Sequence, residues 1–389
     1  MITKISLLLA ALSGAAVFET ARADIHAGSV GFDSEASRLR GFAKLCVENK
    51  DEPAGQGEVR CVYTERVHKM KRMHGVMSPS RPCTEEDFRT LKEWGVRLFR
   101  YQIVRDWHAQ NNNRNRDEYL QWVDRKISHL IDDVLPWAHG AGIEVVVDLH
   151  VAPGGRRADS DMNMFYDVYH AETFLMAWTN IATRCKGQFG IWGYDLINEP
   201  AQRGKAAENC DWWTLLYRAA RLIRGIDSIT PIVVEPNLWS SPKGMSQMKV
   251  FDLPDVIYSV HMYEPLDYSH QGVLPVGGPW VKSNYPNVAK GLTRARLELE
   301  LAPVRDFQER HGAVVYVGEF GCIAWADGAE RYLADLISIF NAQEWHWTYH
   351  AFREWEPWSV EHEWTGVGRN VAVSKDNLRK QVLLNGLRE

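Results

Sequence analysis

The chain has 389 residues, of which 45% are hydrophobic and 24% charged, a composition that supports a large globular core. Its formal net charge is −5 and it contains no run of five or six like charges, which argues against a nucleic-acid or anionic-membrane partner. Aromatic residues are abundant, with 16 Trp, 14 Tyr and 13 Phe. Most of these belong to a core, but the flat face of a Trp also matches the C–H face of a pyranose sugar.

The N-terminal segment has the pattern of a signal peptide, which we place at residues 1–23. One basic residue, Lys4, precedes an apolar run over 5–18, and Ala21-Arg22-Ala23 fits the small-x-small cleavage rule. We therefore expect cleavage before Asp24 and a secreted or periplasmic protein that is not held in a membrane after cleavage.

Six cysteines follow the signal peptide: Cys46, Cys61, Cys83, Cys185, Cys210 and Cys322. An even number in an exported chain permits disulfides, although six cysteines allow fifteen connectivities. We predict the pairs Cys46–Cys61 and Cys185–Cys210. The spacings match no zinc pattern such as C-x2-C, so we predict no metal and no other cofactor.

From residue 74 onward, short β-rich runs that end in polar residues alternate with helical patterns. The eight runs are HGVMSP (74–79), VRLFRYQI (96–103), IEVVVDLH (143–150), IWGYDLINEP (191–200), PIVVEPNLW (231–239), VIYSVHMYEP (256–265), AVVYVGEFG (313–321) and WHWTYHAF (345–352).

The helical patterns carry start and stop signals. Thr84 to Asp87 reads as a capping box for a helix that ends at Gly95. The period through Val123, Ile127, Leu130, Ile131 and Val134 stops at Gly140, and that through Phe174, Trp178 and Ile181 stops before Gly187. Pro303 should break or restart the helix that carries Leu297, Leu301, Val304 and Phe307, and Ser374 can cap a last helix that ends near Gly386.

Alternating strands and helices of this kind predict an α/β fold with a parallel sheet, and eight strands predict a (β/α)8 barrel. An open doubly wound sheet is the alternative, but its usual G-x-G-x-x-G turn does not occur. No linker or repeat divides the chain. We therefore expect one catalytic domain over 74–389, preceded by an N-terminal extension over 24–73 that packs beneath the barrel, in a monomeric protein.

Polar residues end nearly all of the predicted strands. They are Arg100, His150, Asn198, Glu199, Glu235, His261, Tyr263, Glu319 and, after the eighth strand, Glu354 or Trp355. The carboxyl ends of barrel strands meet at one face, where the active sites of such barrels lie. Residues that are distant in the sequence are therefore expected to form one site.

Two carboxylates across a cleft are what the cleavage of a glycosidic bond requires, because one protonates the leaving oxygen while the other attacks the anomeric carbon or directs that attack. The nucleophile must stay ionised, and Arg100 and Tyr263 could provide this environment for Glu319. The acid must stay protonated, and Glu199 suits that role.

Five motifs then resemble glycoside hydrolase family five, the cellulase-like branch of the clan A barrels: VRLFRYQI, VVVDLH, YDLINEP, VHMYEP and VYVGEFG. The resemblance spans 74–355 and implies an enzyme that hydrolyses O-glycosyl bonds of a β-linked polysaccharide or oligosaccharide with retention, by double displacement. It implies Glu199 as acid/base and Glu319 as nucleophile. It also implies that Asn198 binds the sugar 2-hydroxyl, that Arg100 and Tyr263 hold the nucleophile, and that His150 and His261 shape the −1 subsite.

One departure concerns the sugar platform. Similar proteins carry a Trp at the end of the eighth strand, where this chain has His350. Trp355 or Trp358 could replace it. The DLHVAPGG loop and the long 264–292 segment are expected to wall the cleft, and Trp280 is either a second platform or a residue that packs its loop onto the barrel.

Several functional alternatives remain open. The first substrate that we expect is a β-1,4-glucan, cleaved by an endoglucanase, with a β-mannan or another hemicellulose as the alternative and exo-cleavage of short glycosides as a third. A metal-dependent hydrolase would use Asp148, His150, His261 and His350 but lacks an H-x-H pair on the first strand. A non-catalytic sugar-binding barrel would keep the aromatics without needing the carboxylate pair.

Overall fold

The computed structural model describes residues 66–104, 115–273, 280 and 282–389, together with the backbone of two short strands, Leu45–Val47 and Arg60–Val62. These two strands pair antiparallel, and Cys46 lies opposite Cys61 in their register. The predicted signal peptide, most of the predicted 24–73 extension and the side chains of both cysteines lie outside the described residues. They remain predictions.

Eight parallel strands close into a barrel, which confirms the predicted fold. Each strand pairs with the next one along the chain, and the last pairs with the first. The strands are β1 His74–Met77, β2 Leu98–Gln102, β3 Glu144–Asp148, β4 Ile191–Asp195, β5 Ile232–Val234, β6 Val256–Met262, β7 Val314–Phe320 and β8 His346–Tyr349. Each is shorter than its predicted run. Arg100, His261 and Glu319 lie within their strands, whereas the other polar residues predicted at strand ends belong to the following loops.

Helices cover the outside of the barrel. The α-helices of seven residues or more are Glu85–Trp94, Arg116–His129, Leu135–Ala141, Val168–Cys185, Trp212–Ile226, Arg294–Glu300, Ala302–His311, Ala329–Ala342 and Leu378–Arg388, and a π-turn at Leu130–Val134 joins the second to the third. After β5 the crossover carries a 3-10 helix, Pro242–Gln247. A hairpin of His362–Trp364 and Val371–Val373 follows β8.

The capping signals are only partly as predicted. The Thr84–Asp87 capping box and the αL cap at Gly95 are present, and Pro303 lies in the first turn of a new helix. One predicted helix end and one predicted helix cap were wrong. The helix predicted to stop at Gly140 continues to a cap at Gly142, and the last helix begins after Asn377, whose side chain accepts from the backbone of Lys380, rather than after Ser374. That helix also continues past Gly386 to Arg388.

The amino-terminal end of the barrel is closed by apolar side chains. Leu98, Val146, Trp192, Val233, Ile257 and Tyr316 pack together with Val67, which lies in the short helix Arg66–Lys69. The backbone N–H of Val67 donates to Asp255 Oδ1 over 3.3 Å. The described end of the predicted extension therefore packs against the barrel interior, and the polar site can form only at the carboxyl end.

The predicted Cys185–Cys210 disulfide is wrong, because both thiols are free and buried. Cys185 is the last residue of the helix Val168–Cys185, whereas Cys210 lies beside Val168 and Ala171 at the start of that helix. A helix of this length spans about 27 Å, so the two sulfurs lie at opposite ends of it.

We expect the four described thiols of the folded protein to resist a thiol reagent such as DTNB. Burial raises the pKa of Cys83, Cys185 and Cys322 to about 12 and also raises that of Cys210, which leaves little reactive thiolate. Mass spectrometry of labelled peptides should show these cysteines modified only after unfolding. Recovery of a disulfide-linked peptide that contains Cys185 and Cys210 would contradict the fold described here.

Candidate active site

A single buried guanidinium, that of Arg100, organises the carboxyl end of the barrel. Arg100 lies on β2 two residues after Leu98, so both side chains point into the barrel. Its ion pairs reach four carboxylates, at 2.6 Å to Glu319 Oε1, 2.9 Å to Asp195 Oδ2, 2.9 Å to Glu235 Oε1 and 3.2 Å to Asp148 Oδ1. The planar fork of donors in Arg suits such a multiple contact, which the single ammonium of a lysine could not reproduce.

Four carboxyl groups surround the single positive charge of Arg100, so the charges of this cluster are not equal in number. Burial acts to lower the pKa of Arg100, but the surrounding carboxylates raise it well above its ordinary value. The pKa of Asp195 is also raised well above its ordinary value, first by burial and then by the negative charge of Glu235. Both effects favour the protonated form of Asp195, whereas its ion pair with Arg100 favours the ionised form.

Glu319, at the end of β7, has the environment of an ionised carboxylate. Arg100 Nη1 donates to its Oε1 over 2.6 Å, and the Tyr263 hydroxyl donates to its Oε2 over 2.9 Å. Burial acts to raise the pKa of Glu319, but the charges of His261, His350 and Arg100 outweigh burial and lower the pKa well below its ordinary value. Glu319 is only 4% exposed, so these donors hold its carboxylate in a fixed position.

His261 links the carboxylates at the ends of three strands. Its Nδ1 lies 3.1 Å from Glu199 Oε1, and its Nε2 lies 3.1 Å from Glu235 Oε1. Although burial acts to lower the pKa of His261, Glu235 and Glu319 raise it well above its ordinary value, so both ring nitrogens carry protons and donate. The register of β6 shifts between Val260 and His261, as in a bulge that re-aims a side chain beside a site.

Glu199 follows β4 in a backbone conformation that is rare for its residue type. Its φ is +52°, in the left-handed region, and its backbone N–H donates to Glu235 Oε2 over 2.7 Å. Such strain costs about 1–3 kcal/mol and persists where the surroundings fix it. The Glu199 side chain is 28% exposed, so it faces the open cleft, whereas Glu319 lies at the bottom.

The two candidate catalytic carboxylates are close together. One oxygen of Glu199, one oxygen of Glu319 and a ring nitrogen of His261 all lie within 4.8 Å of one another. The site therefore contains a partly exposed carboxyl group, that of Glu199, and a buried, ionised carboxylate, that of Glu319. The two are close enough to approach one small bound group from opposite sides.

Asn198 is oriented by a chain of hydrogen bonds. Its Oδ1 accepts from Arg100 Nη2 over 3.1 Å, and its Nδ2 lies 3.2 Å from His150 Nε2. His150 Nδ1 lies 2.7 Å from Asp148 Oδ2, a carboxylate that can only accept, so Nδ1 carries the proton and Nε2 accepts from the Asn198 amide. This chain fixes the amide so that it cannot flip.

A cavity of about 650 Å³ lies above these groups, within the range of small-ligand sites. It is lined by His150, Asn198, Glu199, His261, Tyr263 and Glu319 and walled by residues of the DLHVAPGG loop, the start of the 264–292 segment, Leu238 and Trp239. The structure therefore brings together six predicted site residues, with Arg100 directly beneath them. His350 and Trp358 also line the cavity.

Two of the predicted sugar platforms lie elsewhere. The Trp280 ring packs against Trp325 and Trp364, with centroid distances of 5.6 and 6.1 Å, which fits the alternative that Trp280 packs its loop. Trp355 is 44% exposed and lies in a separate depression with Trp325. Of the candidate platforms at the eighth strand, it is Trp358 that lines the cavity.

Sequence reasoning assigned no role to Glu235 or Asp195. Glu235 accepts from the backbone of Glu199, from Arg100 and from the Ser240 hydroxyl. Burial acts to raise its pKa, but His261 and Arg100 lower it to about 2. Its position at the end of the apolar run PIVVE was a usable signal, because Glu199 and Glu319 also follow apolar strands.

The groups of the rival metal hypothesis are engaged in hydrogen bonds. His150 bonds Asp148 and Asn198, His261 bonds two glutamates, and His350 lies 3.0 Å from Glu354. A metal ligand must be a neutral imidazole, whereas the carboxylates around His261 favour the imidazolium.

The sequence of the chain matches the model of a known enzyme family. The model of the cellulase family, glycosyl hydrolase family 5, matches residues 62–354, well over half of the 389 residues. The chain belongs to glycosyl hydrolase family 5. This family-5 chain is a glycosidase that hydrolyses O-glycosyl bonds, as the resemblance of its motifs predicted.

Individual relatives of this family-5 chain agree with that class. Endoglucanase C of Acetivibrio thermocellus is 26% identical over 294 residues, covering 66% of this chain and 80% of the relative. Cellodextrinase A of Ruminococcus flavefaciens is 24% identical over 274 residues, covering 67% and 72%. The solved structure of Thermotoga maritima Cel5A in complex with mannotriose has a TM-score of 0.62 at 20% identity, covering 81% and 97%, and shows the likeness of fold.

We expect Arg100→Met to lower the free energy of unfolding by about 3–5 kcal/mol, because it leaves buried carboxylates without their counter-ion. Arg89→Met is the matched control. Arg89 pairs with Glu86 on the surface, with side chains that are 64% and 65% exposed, and should change stability by less than about 1 kcal/mol. Urea unfolding of both variants provides the measurement, and equal stabilities would contradict the central role of Arg100.

Proposed function

We propose that the protein is an exported retaining β-glycoside hydrolase, most specifically an endo-β-1,4-glucanase, with Glu199 as acid/base and Glu319 as nucleophile. The observation that carries the proposal is the separation of at most 4.8 Å between an oxygen of each carboxylate. Retaining glycosidases place their carboxyl groups about 5–5.5 Å apart, whereas inverting enzymes need about 6.5–9.5 Å to admit a water molecule.

In the first half of the reaction, Glu319 attacks the anomeric carbon while Glu199 donates its proton to the departing glycosidic oxygen. Arg100 and Tyr263 hold the Glu319 oxygens, so the attack starts from an ionised and oriented carboxylate. His261 donates to Glu199 and keeps its side chain over the nucleophile. The product is a covalent glycosyl ester on Glu319 and a released sugar chain.

In the second half, Glu199, now ionised, takes a proton from a water molecule that attacks the same anomeric carbon. The ester bond to Glu319 breaks and the free sugar leaves with its original configuration. The Glu199 side chain suits this double role because it is partly exposed and reachable by water from the cavity. The Asn198 amide, fixed by Arg100 and His150, lies where it can contact the sugar hydroxyl beside the reacting carbon.

Relatives favour a β-glucan as substrate. Endoglucanases C and H of Acetivibrio thermocellus and a cellodextrinase are among its relatives, and structures of Thermotoga maritima Cel5A are complexes with cellobiose and with mannotriose. A β-mannan is therefore the second candidate, and a match to a β-xylosidase of Phanerodontia chrysosporium keeps exo-action as a third. Export rests on the pattern of residues 1–23. Among the described residues, no helix is long and apolar enough to cross a bilayer.

Release of reducing sugar from carboxymethyl-cellulose, mixed-linkage glucan, mannan, xylan, xyloglucan and galactan would test the proposal. We expect the wild type to act most strongly on a β-1,4-glucan. A preference for mannan would make a β-mannan the substrate and would leave the proposed mechanism unchanged. If the protein hydrolysed none of these polymers and no short aryl β-glycoside, the result would contradict the proposal.

The two glutamates should respond differently to substitution. Glu319→Ala should abolish turnover of every substrate, because no glycosyl ester can form. Glu199→Ala should spare aryl glycosides with good leaving groups relative to polysaccharides, since a good leaving group needs little protonation, and azide should partly restore its activity. Kinetics on both substrate types provide the measurement. Equal losses on aryl glycosides and polysaccharide in Glu199→Ala would contradict its assignment as the acid.

The acid limb of the pH profile of kcat/KM should lie at low pH. Because the pKa of Glu319 is depressed, the nucleophile stays ionised, and kcat/KM should hold as the pH falls through the ordinary glutamate value of about 4.3. Tyr263→Phe removes a hydrogen bond to the ionised form, so it should move this limb upward and lower kcat by roughly tenfold or more.

Tyr268→Phe is the control for this effect, because the Tyr268 hydroxyl donates to the Asp327 carbonyl rather than to a carboxylate of the site. It should leave the acid limb in place. An acid limb that is the same in the wild type and in Tyr263→Phe would show that the tyrosine does not set the ionisation of the nucleophile.

A further inference from the structure

Beyond the nucleophile, a line of hydrogen-bonded side chains leads from Glu319 to the end of the eighth strand. The Tyr263 hydroxyl lies 2.9 Å from Glu319 Oε2 and 2.5 Å from His350 Nδ1. His350 Nε2 lies 3.0 Å from Glu354 Oε2. His350 and Glu354 are 18% and 13% exposed, so the line runs along the wall of the cavity that both of them help to form.

With Glu319 and Glu354 both ionised, the count of protons fixes the direction of every hydrogen bond along this line. Glu319 is an ionised carboxylate and can only accept, so the single hydroxyl proton of Tyr263 must point toward it. The contact between Tyr263 and His350 Nδ1 then requires a proton on Nδ1. The contact with the Glu354 carboxylate requires a second proton on Nε2. Both ring nitrogens therefore donate, and His350 is an imidazolium.

The charges that face His350 support this state. Glu354 lies on the following loop, Glu319 Oε2 lies 3.9 Å from Nδ1, and Glu199 lies across the cavity. Burial acts to lower the pKa of His350, but Glu354 and Glu319 outweigh burial and raise it. His270 packs against Tyr263, with a ring-centroid distance of 4.9 Å. Burial and then His350 lower the pKa of His270 to about 4, so it adds no opposing charge at neutral pH.

We propose that His350 and Glu354 are positioning residues, an imidazolium–carboxylate pair that keeps the Tyr263 hydroxyl proton directed at the nucleophile Glu319. The proposal rests on the function proposed above and deepens it. Neither residue need touch the reacting atoms. The pair acts through Tyr263, and Gln102 supports it by donating from Nε2 to Glu354 Oε2 over 3.3 Å.

The pair would make catalysis sensitive to the protonation of His350. When Nδ1 loses its proton it becomes an acceptor, and the Tyr263 hydroxyl can turn its proton from Glu319 toward the imidazole. Glu319 then loses a donor. Because the pKa of His350 is raised, activity is retained below that pKa and falls as the pH rises through it. The basic limb of the pH profile therefore includes the deprotonation of His350.

Glu354→Gln tests the pair, because it keeps the shape of the side chain and removes the counter-charge. With an aryl β-cellobioside, the variant should move the basic limb of kcat/KM to lower pH and leave the acid limb in place. Glu356→Gln is the matched control, since Glu356 is a neighbouring glutamate whose side chain is 70% exposed and 4.0 Å from His362, and it should not move either limb. An unmoved basic limb in Glu354→Gln would overturn the proposal.

A double variant separates positioning from general damage to the fold. At neutral pH, Glu354→Gln should lower kcat/KM on the order of tenfold when Tyr263 is present, the value of a hydrogen bond to a charged group. In the Tyr263→Phe background the same change should cost less than about twofold, because there is no hydroxyl left to direct. Equal losses in the two backgrounds would overturn the proposal.

A spectroscopic measurement tests the protonation of His350 independently of enzyme activity. The 15N chemical shifts of labelled histidine in the full chain, assigned to His350 with a His350→Gln variant, should show both ring nitrogens protonated at neutral pH in the wild type. Glu354→Gln should lower the pH of that titration. A neutral His350 in the wild type would overturn the pair even in an active enzyme. Absence of activity on any glycoside alongside a protonated His350 would instead count against the proposed function alone.

Discussion

The site depends on placing one positive charge, Arg100, in a barrel interior that holds several carboxyl groups. A buried carboxylate is tolerated only when a counter-ion and hydrogen bonds replace the water it has lost. Arg100 provides both for the groups at the ends of four other strands, and its side chain is itself fully buried. The carboxyl ends of β2, β3, β4, β5 and β7 are therefore tied together electrostatically as well as by the barrel backbone.

This constraint gives two glutamates of the same chemistry different environments. Glu319 lies inside the charged cluster and receives donors on both oxygens. Glu199 lies at its rim, contacts the cluster through His261 and through its own backbone, and opens to the cavity. The difference in burial and in positive neighbours suits Glu319 to its proposed role as nucleophile and Glu199 to its proposed role as acid/base. Glu235 and His261 form the bridge between the two positions.

Much of this architecture could be predicted from the sequence, because buried parallel strands are long apolar runs and their polar ends must meet at one face of a closed barrel. That reasoning placed Arg100, Tyr263, Glu199 and Glu319 at one site, where the structure brings them together. It could not separate Ser374 from Asn377 as a helix cap, since both side chains can accept a backbone hydrogen bond and only the geometry selects one.

Features that depend on contacts between distant loops were not predictable in the same way. Trp280 packs against Trp325 and Trp364, contacts that no local pattern encodes. The raised pKa of Asp195 arises from burial and from the charge of Glu235, two effects that exist only in the folded protein. His350 stood out in the sequence as a departure from the family pattern, but its hydrogen bond to Glu354 became visible only in the structure.

The most direct test of the account is to trap the covalent intermediate. A 2-deoxy-2-fluoro-β-cellobioside with a good leaving group slows hydrolysis of the glycosyl ester more than its formation, so the labelled protein can be digested and sequenced by mass spectrometry. We expect one sugar on the peptide that contains Glu319. A label on Glu199 or Glu235 instead would contradict the assignment of the nucleophile and the role given to Arg100.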